Sequence, residues 1–424
     1  MTDAAADHAA GDWLISVDDH VLEPGSVWQS RMSAADREQA PRLVRDGTSE
    51  YWVYEGRKVY TSGLSAVVGK RKDEFSPVPI TYDEMRPGCY DPVARLADMN
   101  QAGILASMCF PSFTRFCGQI FWEAKDKGLA LRCVKAYNDW MIDEWCGSAP
   151  GRYIPLTLIP LWDPKAAAAE VERCAAKGSR AIAFSENPAP LGLPTIFDPA
   201  RYWDPVMRAA EETQLVVAMH VGSSSEIPKI MPDAPTVANK PWADGARTSG
   251  VMLAWIFSGI FDRMPGLKIA MSEGGIGWIP YFLERAEQVV SIQRYWASRA
   301  KTEAAATPGT DPDADGTADP FMKAAGTEHS PVDLLTLDVH QTFRDHIYGC
   351  FIVDNHGVRN IDQIGAENVM IETDYPHSDS TWPNCIKIAK EQVADLPPAT
   401  QHLILRGNAQ RLFRFTPAQP PAPH

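Results

Sequence analysis

Eight short apolar runs recur along this chain, at 13–17, 106–110, 153–161, 181–184, 215–219, 267–271, 346–353 and 369–371. Each is rich in aliphatic or β-branched residues and stops at Gly, Pro, Asp or Ser, so each reads as a strand buried on both faces. The stretches between them, including 92–102, 122–146, 164–176, 202–213 and 280–300, carry helical patterns. Continuous apolar strands alternating with helices imply a parallel sheet covered by those helices. Eight such units match a closed (β/α)8 TIM barrel, although a doubly wound open sheet shares the alternation. The expected class is therefore α/β, with a segment inserted after the first strand and a mobile loop before the seventh.

A barrel of this kind takes about 250 residues, and the chain has 424. The excess has two homes. Residues 21–90, with the aromatic and charged stretch YWVYEGRKVY, are expected to form a cap or hairpin beside the barrel mouth. Residues 301–330 are rich in Ala, Pro, Gly and Asp without apolar periodicity, which predicts a flexible loop. Residues 1–12 and the proline-rich 416–424 are expected to be disordered, leaving 13–415 as a single decorated domain.

Charge narrows the partners. Forty Lys+Arg against 54 Asp+Glu give a formal charge of −14, which repels phosphate backbones and anionic lipid. Neither a nucleic-acid nor a membrane role is expected. No apolar run approaches the roughly 20 residues of a membrane helix, and the acidic N-terminus lacks a signal-peptide pattern. The expected setting is cytoplasmic and the expected partner a small-molecule substrate, in a homo- or hetero-oligomer. The eight cysteines contain no Cys-x-x-Cys pair and read as core filler.

The residues able to do chemistry sit at strand ends. The first run is followed by Asp18, Asp19 and His20; alternation along an extended chain turns Asp18 and His20 to one face and Asp19 to the other. The fifth run ends in His220, and the eighth leads into Glu372, Thr373, Asp374, Tyr375, Pro376 and His377. Three strands thus end in a metal-ligating side chain at the C-terminal rim, where barrel active sites are built. Two histidines with two carboxylates suit Zn, Mn or Fe. Singly, each is also an ordinary turn, cap or core residue.

With these residues in place, the sequence resembles the amidohydrolase superfamily, in the branch of aminocarboxymuconate-semialdehyde decarboxylase and related aromatic-acid decarboxylases. The resemblance runs from about Trp13 to Phe415 and includes the closing RGNAQRLFRF. It implies one divalent metal, zinc first with manganese or iron as alternatives, held by Asp18, His20, His220 and Asp374, with Asp374 also catalytic. Where the family's sixth strand usually ends in His followed by Gly, this chain has Glu273, Gly274 and Gly275. Glu273 is assigned a general-base or metal-binding role, against a plain structural one. His377 and Asp379 extend the eighth-strand loop as a second metal position or as outer support.

Arg115, after the second strand, could hold a substrate carboxylate or be a surface residue. Trp278, Tyr375 and Trp382 could wall an apolar pocket or be ordinary packing. Asp354 and His356, after the seventh strand, are further pocket candidates. The leading reading is a metal-dependent hydrolase in which an activated water attacks a C–N or C–O bond. The alternatives are a non-oxidative decarboxylase, a dinuclear non-haem oxygenase and a non-catalytic scaffold.

Overall fold

The structure is a computed structural model that describes residues 13–303 and 331–419. Residues 1–12, 304–330 and 420–424 lie outside the described residues, and with them the expected N-terminal disorder, nearly all of the 301–330 loop and the end of the tail.

Strand β1 (Leu14–Val21) opens the barrel, and β2 (Arg42–Asp46), β3 (Ser49–Tyr54) and β4 (Arg57–Val59) follow within the insertion. The remaining strands are β5 (Ile104–Pro111), β6 (Tyr153–Ile154), β7 (Leu156–Thr157), β8 (Ala181–Ser185), β9 (Val216–His220), β10 (Ile269–Ser272), β11 (Ile347–Phe351) and β12 (Val369–Ile371). One parallel sheet runs β1-β5-β6 and another runs β12-β11-β10-β9-β8-β7. The two join at both ends. On one side β6 and β7 are a single strand interrupted by Pro155, which has no N–H to donate to a ladder. On the other, the Asp374 N–H donates to the Asp18 carbonyl at 2.9 Å and the His20 N–H to the Tyr375 carbonyl at 2.6 Å. The fold is the α/β barrel its sequence pattern predicts. Every residue of β1, β5, β8, β9, β10 and β11 is buried, as continuous apolar runs require.

Local signals set the helix boundaries. Asp91 and Asp163 each precede a proline and cap the helices Pro92–Ala102 and Pro164–Ala176, accepting two backbone N–H groups apiece; such a cap is worth about 1 kcal/mol. The helix expected from residue 122 starts at Lys127, because Asp126 accepts the Leu129 N–H and caps it there. The seventh strand starts one residue later than expected: His346 ends the helix Val339–His346, its Nδ1 2.8 Å from the Leu267 carbonyl. A helix that the pattern obscured spans Thr236–Phe257 despite Pro241, Gly245 and Gly250.

Within the insertion, β2, β3 and β4 form an antiparallel sheet. Trp52 of β3 is buried, stacking on Phe113 at 4.5 Å and meeting Trp28 edge-on at 5.3 Å. That anchors the small sheet on the loop that follows β5. The same loop is held from below by Glu23, whose carboxylate accepts the Phe113 N–H at 2.8 Å. All eight cysteines are buried and free, as core filler should be.

Candidate metal centre

Four barrel strands deliver polar side chains to one point. Asp18 and His20 come from β1, His220 ends β9, Glu273 follows β10 and Asp374 follows β12. Glu273 and Asp374 both have positive φ, 59° and 51°. A non-glycine residue accepts that left-handed conformation only where its surroundings impose it, and such residues gather at functional sites. Here it turns both carboxylates inward at the rim.

The His20 and His220 Nε2 atoms face each other at 3.2 Å. His20 Nε2 lies 3.1 Å from Asp374 Oδ1 and 3.6 Å from Asp18 Oδ1. His220 Nε2 lies 3.3 Å from both Asp18 Oδ2 and Glu273 Oε2. His377 adds its Nδ1 at 3.2 Å from Asp374 Oδ1, and its ring stacks on His20 at 3.6 Å. Phe116 stacks on His220 at 4.0 Å and closes that side.

This arrangement fits a cation. Both oxygens of Asp18 and both of Asp374 are buried without a hydrogen-bond donor, a costly state unless something positive sits among them. The groups that approach Asp18, Glu273 and Asp374 within 4 Å here are the imidazoles of His20, His220 and His377. His220 Nδ1 lies 2.6 Å from the Val221 carbonyl, so that nitrogen carries the proton and Nε2 presents its lone pair inward. Burial lowers His220, and lowers His20 to about 4, so both imidazoles are neutral and able to ligate at pH 7. Burial, reinforced by the neighbouring carboxylates, raises Asp18, Glu273 and Glu372. Burial also pushes Asp374 up, but His377 and His20 outweigh it and hold that carboxyl below the usual range.

Asp19 faces the other way, as alternation predicts. It accepts from Ser16 Oγ at 3.1 Å, Thr373 Oγ1 at 2.5 Å, the Tyr375 N–H at 3.0 Å and Ser107 Oγ. Beneath it the fully buried Arg95 donates to the His20 carbonyl at 2.6 Å and to the Gly88 carbonyl at 2.6 Å. The strand carrying the first two candidate ligands is therefore pinned from behind.

Beside the centre lies a polar cavity of about 660 Å³, lined by Glu273, Glu372, Asp379 and Trp382 together with Lys70 and Lys72 of the insertion. Of the residues expected to line a substrate pocket, Trp382 lines this cavity, its indole N–H on the Asp98 carbonyl at 3.0 Å. Tyr375 does not: its ring is buried under Arg95 at 3.9 Å and its hydroxyl bonds Asp98 at 2.5 Å, because the chain alternates and Asp374 takes the inward position. Trp278 packs on Phe282 and donates to the Gly274 carbonyl at 2.8 Å, outside this cavity's lining. Arg115 pairs with Glu123 at 2.5 Å, so its guanidinium is already engaged. Asp379 pairs with Lys240 at 2.8 Å, away from the histidines. Asp354 caps the helix Asn355–Arg359 and holds the Ile276 and Gly277 N–H groups, a structural duty. The sequence places Glu372 after the eighth run but with no role; it accepts the Glu273 N–H at 2.9 Å, and its two-residue spacing from Asp374 is the available signal. Sequence reading passed over Phe116, Lys70 and Lys72, whose positions depend on loops.

The family model described as Amidohydrolase matches residues 41–415. The chain belongs to the amidohydrolase family. The matched span contains His220, Glu273 and Asp374, and starts after Asp18 and His20. Among curated amidohydrolase relatives, gamma-resorcylate decarboxylase of Rhizobium sp. (strain MTP-10005) is 25% identical over 308 residues, covering 68% of this chain and 78% of that protein. Among solved structures, an amidohydrolase from Mycobacterium avium subsp. paratuberculosis superposes with a TM-score of 0.65 at 18% identity, covering 95% of this chain and 99% of that one. A 5-carboxyvanillate decarboxylase from Novosphingobium aromaticivorans, complexed with manganese and a nitrobenzoic acid, gives 0.63 at 16% identity, covering 98% and 100%. The chain is thus an enzyme of a metal-dependent family, with the barrel common to these structures. No helix among the described residues is long and apolar enough to cross a membrane.

Proposed function

We propose that this amidohydrolase is a metal-dependent, non-oxidative decarboxylase of a small aromatic carboxylic acid. One observation carries the reading: the curated relative that shares 68% of this chain and 78% of its own length is a decarboxylase. The hydrolysis expected from sequence gives way on that ground. The other features of the site support the reading without distinguishing it from hydrolysis.

Asp18, His20, His220 and Asp374 would hold the cation, which supplies Lewis-acid polarisation of substrate oxygens. The oxygen-rich donor set suits manganese at least as well as zinc, and manganese accompanies the structural relative from Novosphingobium aromaticivorans. The residues of the chain have separate tasks. Glu273 stands 3.3 Å from His220 and lines the cavity, placed to carry the proton that replaces the departing carboxyl group. The balance is simple: carboxylate plus one proton gives the arene and CO2. Phe116 and His377 lie flat on the two histidines and hold their rings in place. Lys70 and Lys72 offset the carboxylates at the cavity and favour entry of an anionic acid.

A second reading, two cations per chain, is favoured by His377: with His20 and Asp374 it forms a second group of ligand atoms within 4.8 Å of one another. One experiment addresses both. Manganese-loaded protein is assayed for CO2 release from 2,6-dihydroxybenzoate and 5-carboxyvanillate, and in parallel for hydrolysis of amide and ester panels, with metal per chain counted. CO2 release with one manganese supports the proposal. Hydrolysis without CO2 release refutes it, and two metals per chain with oxygen uptake would move the assignment to oxygen chemistry.

A further inference from the structure

A second cavity, of about 620 Å³, opens between the loop after β8 and the helix Thr236–Phe257. None of the candidate metal ligands lines it. The helix serves the two cavities with different residues: Asp244 faces the Glu273 cavity and Thr248 packs on Gly274, while Trp242, Arg247, Gly250 and Val251 face the second one. Ile196 and Phe197 supply the opposite wall. Phe197 and Trp242 are each 44% exposed, so two large aromatics stand at the rim of one hollow. Apolar side chains gathered at a concave site mark a place where something binds, in a way that scattered ones do not.

The polar end of the cavity narrows the choice of ligand. Arg247 donates through one terminal nitrogen to the Glu226 carbonyl and through the other to Asp244, each at 3.0 Å, and Glu186 lies 3.9 Å away. Its Nε is buried and has no partner. That closed-in donor leaves the guanidinium under-bonded, and it is the terminal nitrogens, beside the cavity, that an entering oxygen can share. The carboxylates of Glu186 and Asp244 flank the single guanidinium, so a further anion is repelled there. We propose that this cavity is a second small-molecule site, taking a neutral, ring-sized apolar compound whose carbonyl or hydroxyl oxygen accepts from Arg247. Its volume lies in the range of ordinary small-ligand pockets. Glu186 also receives the Gly222 N–H at 2.8 Å and the Ser224 hydroxyl at 2.9 Å, so the occupant sits beside the loop that follows His220.

The inference is independent of the decarboxylase reading, and its test needs no substrate. The neutral naphthalene ketone prodan, whose emission shifts blue in apolar surroundings, is titrated into the full chain with and without EDTA. One saturable site per chain is expected, unchanged by EDTA because the metal ligands do not line the cavity. Gly250 lines the cavity and a Cβ there meets nothing within 4 Å beyond its own helix, so Gly250→Leu takes up part of the space without disturbing the fold. Affinity should fall at least about tenfold. Gly245 has the same free space but does not line the cavity, so Gly245→Leu is the matched control and should bind as wild type. Arg247→Met should weaken binding as well. Absence of a saturable site, loss of binding in EDTA, or wild-type affinity in Gly250→Leu would each overturn the proposal.

Discussion

Asp18 and Asp19 are adjacent and equally buried, yet their removal should have opposite consequences. Asp19→Ala leaves the Tyr375 N–H and the hydroxyls of Ser16, Ser107 and Thr373 without their acceptor. Each orphaned donor costs about 1–3 kcal/mol. The three hydroxyls can turn toward other oxygens, so the low end applies to them, and the total comes to about 4 kcal/mol. That is a large part of the roughly 5–15 kcal/mol that holds a domain folded. Asp18 accepts no hydrogen bond and is crowded by Glu372, Asp374 and Glu273. Asp18→Asn relieves that repulsion, so the metal-free variant should be at least as stable as wild type while losing metal. The assay is urea unfolding in EDTA, followed by tryptophan fluorescence, beside metal analysis of the reconstituted proteins. Asp19→Asn keeps one oxygen for three of the donors and should lose only about 1–2 kcal/mol; it covers the case in which the alanine variant does not fold. The reasoning fails if Asp19→Ala unfolds within about 1 kcal/mol of wild type, or if Asp18→Asn binds metal in full.

Three further outcomes are expected. His220→Ala should abolish metal uptake while leaving the barrel folded by circular dichroism; unchanged stoichiometry would remove His220 from the ligand set. Glu273→Gln should keep a metal but lower turnover at least ~100-fold, the low end of what a proton-transfer group supplies; near-normal CO2 release would leave it a structural role. His346 is held neutral by burial, with Lys268, Asp345 and Asp262 as its charged neighbours. Its folded pKa lies below the ordinary 6.5, so the unfolded chain takes up the proton first and stability falls as pH drops below that value. His346→Gln should flatten the stability–pH slope between pH 7 and 5, and an unaltered slope would count against the burial argument.

The barrel was legible because its strands are buried on both faces, and burial on both faces writes itself as an unbroken apolar run. Pro155 broke that rule locally: the run at 153–161 stayed apolar while the missing N–H split the ladder. The helix Thr236–Phe257 was hidden for the opposite reason, since Pro241, Gly245 and Gly250 are local signals against a helix that tertiary packing overrides. In the candidate centre, two-residue alternation placed Asp18, His20 and Asp19 without any structure. The same rule, applied one step further, puts Glu372 with Asp374 and turns Tyr375 away, as the structure shows. What lay beyond reach was how the loop after β5 turns. Arg115 and Phe116 are neighbours in sequence, and only the folded loop decides that Phe116 covers His220 while Arg115 turns to Glu123.

The seam between the first and last strands bears on when the protein becomes complete. Thr373 and Asp19, which meet there, are 354 positions apart. During synthesis the amino-terminal half of the centre emerges long before the other half exists. Neither part alone gathers the four side chains proposed to hold the cation. With that ligand set, metal capture would be a late event in the life of the chain, waiting on the last strand to dock against the first. A prematurely terminated product would be poor in metal by construction, and cation content would serve as a chemical mark of a finished barrel.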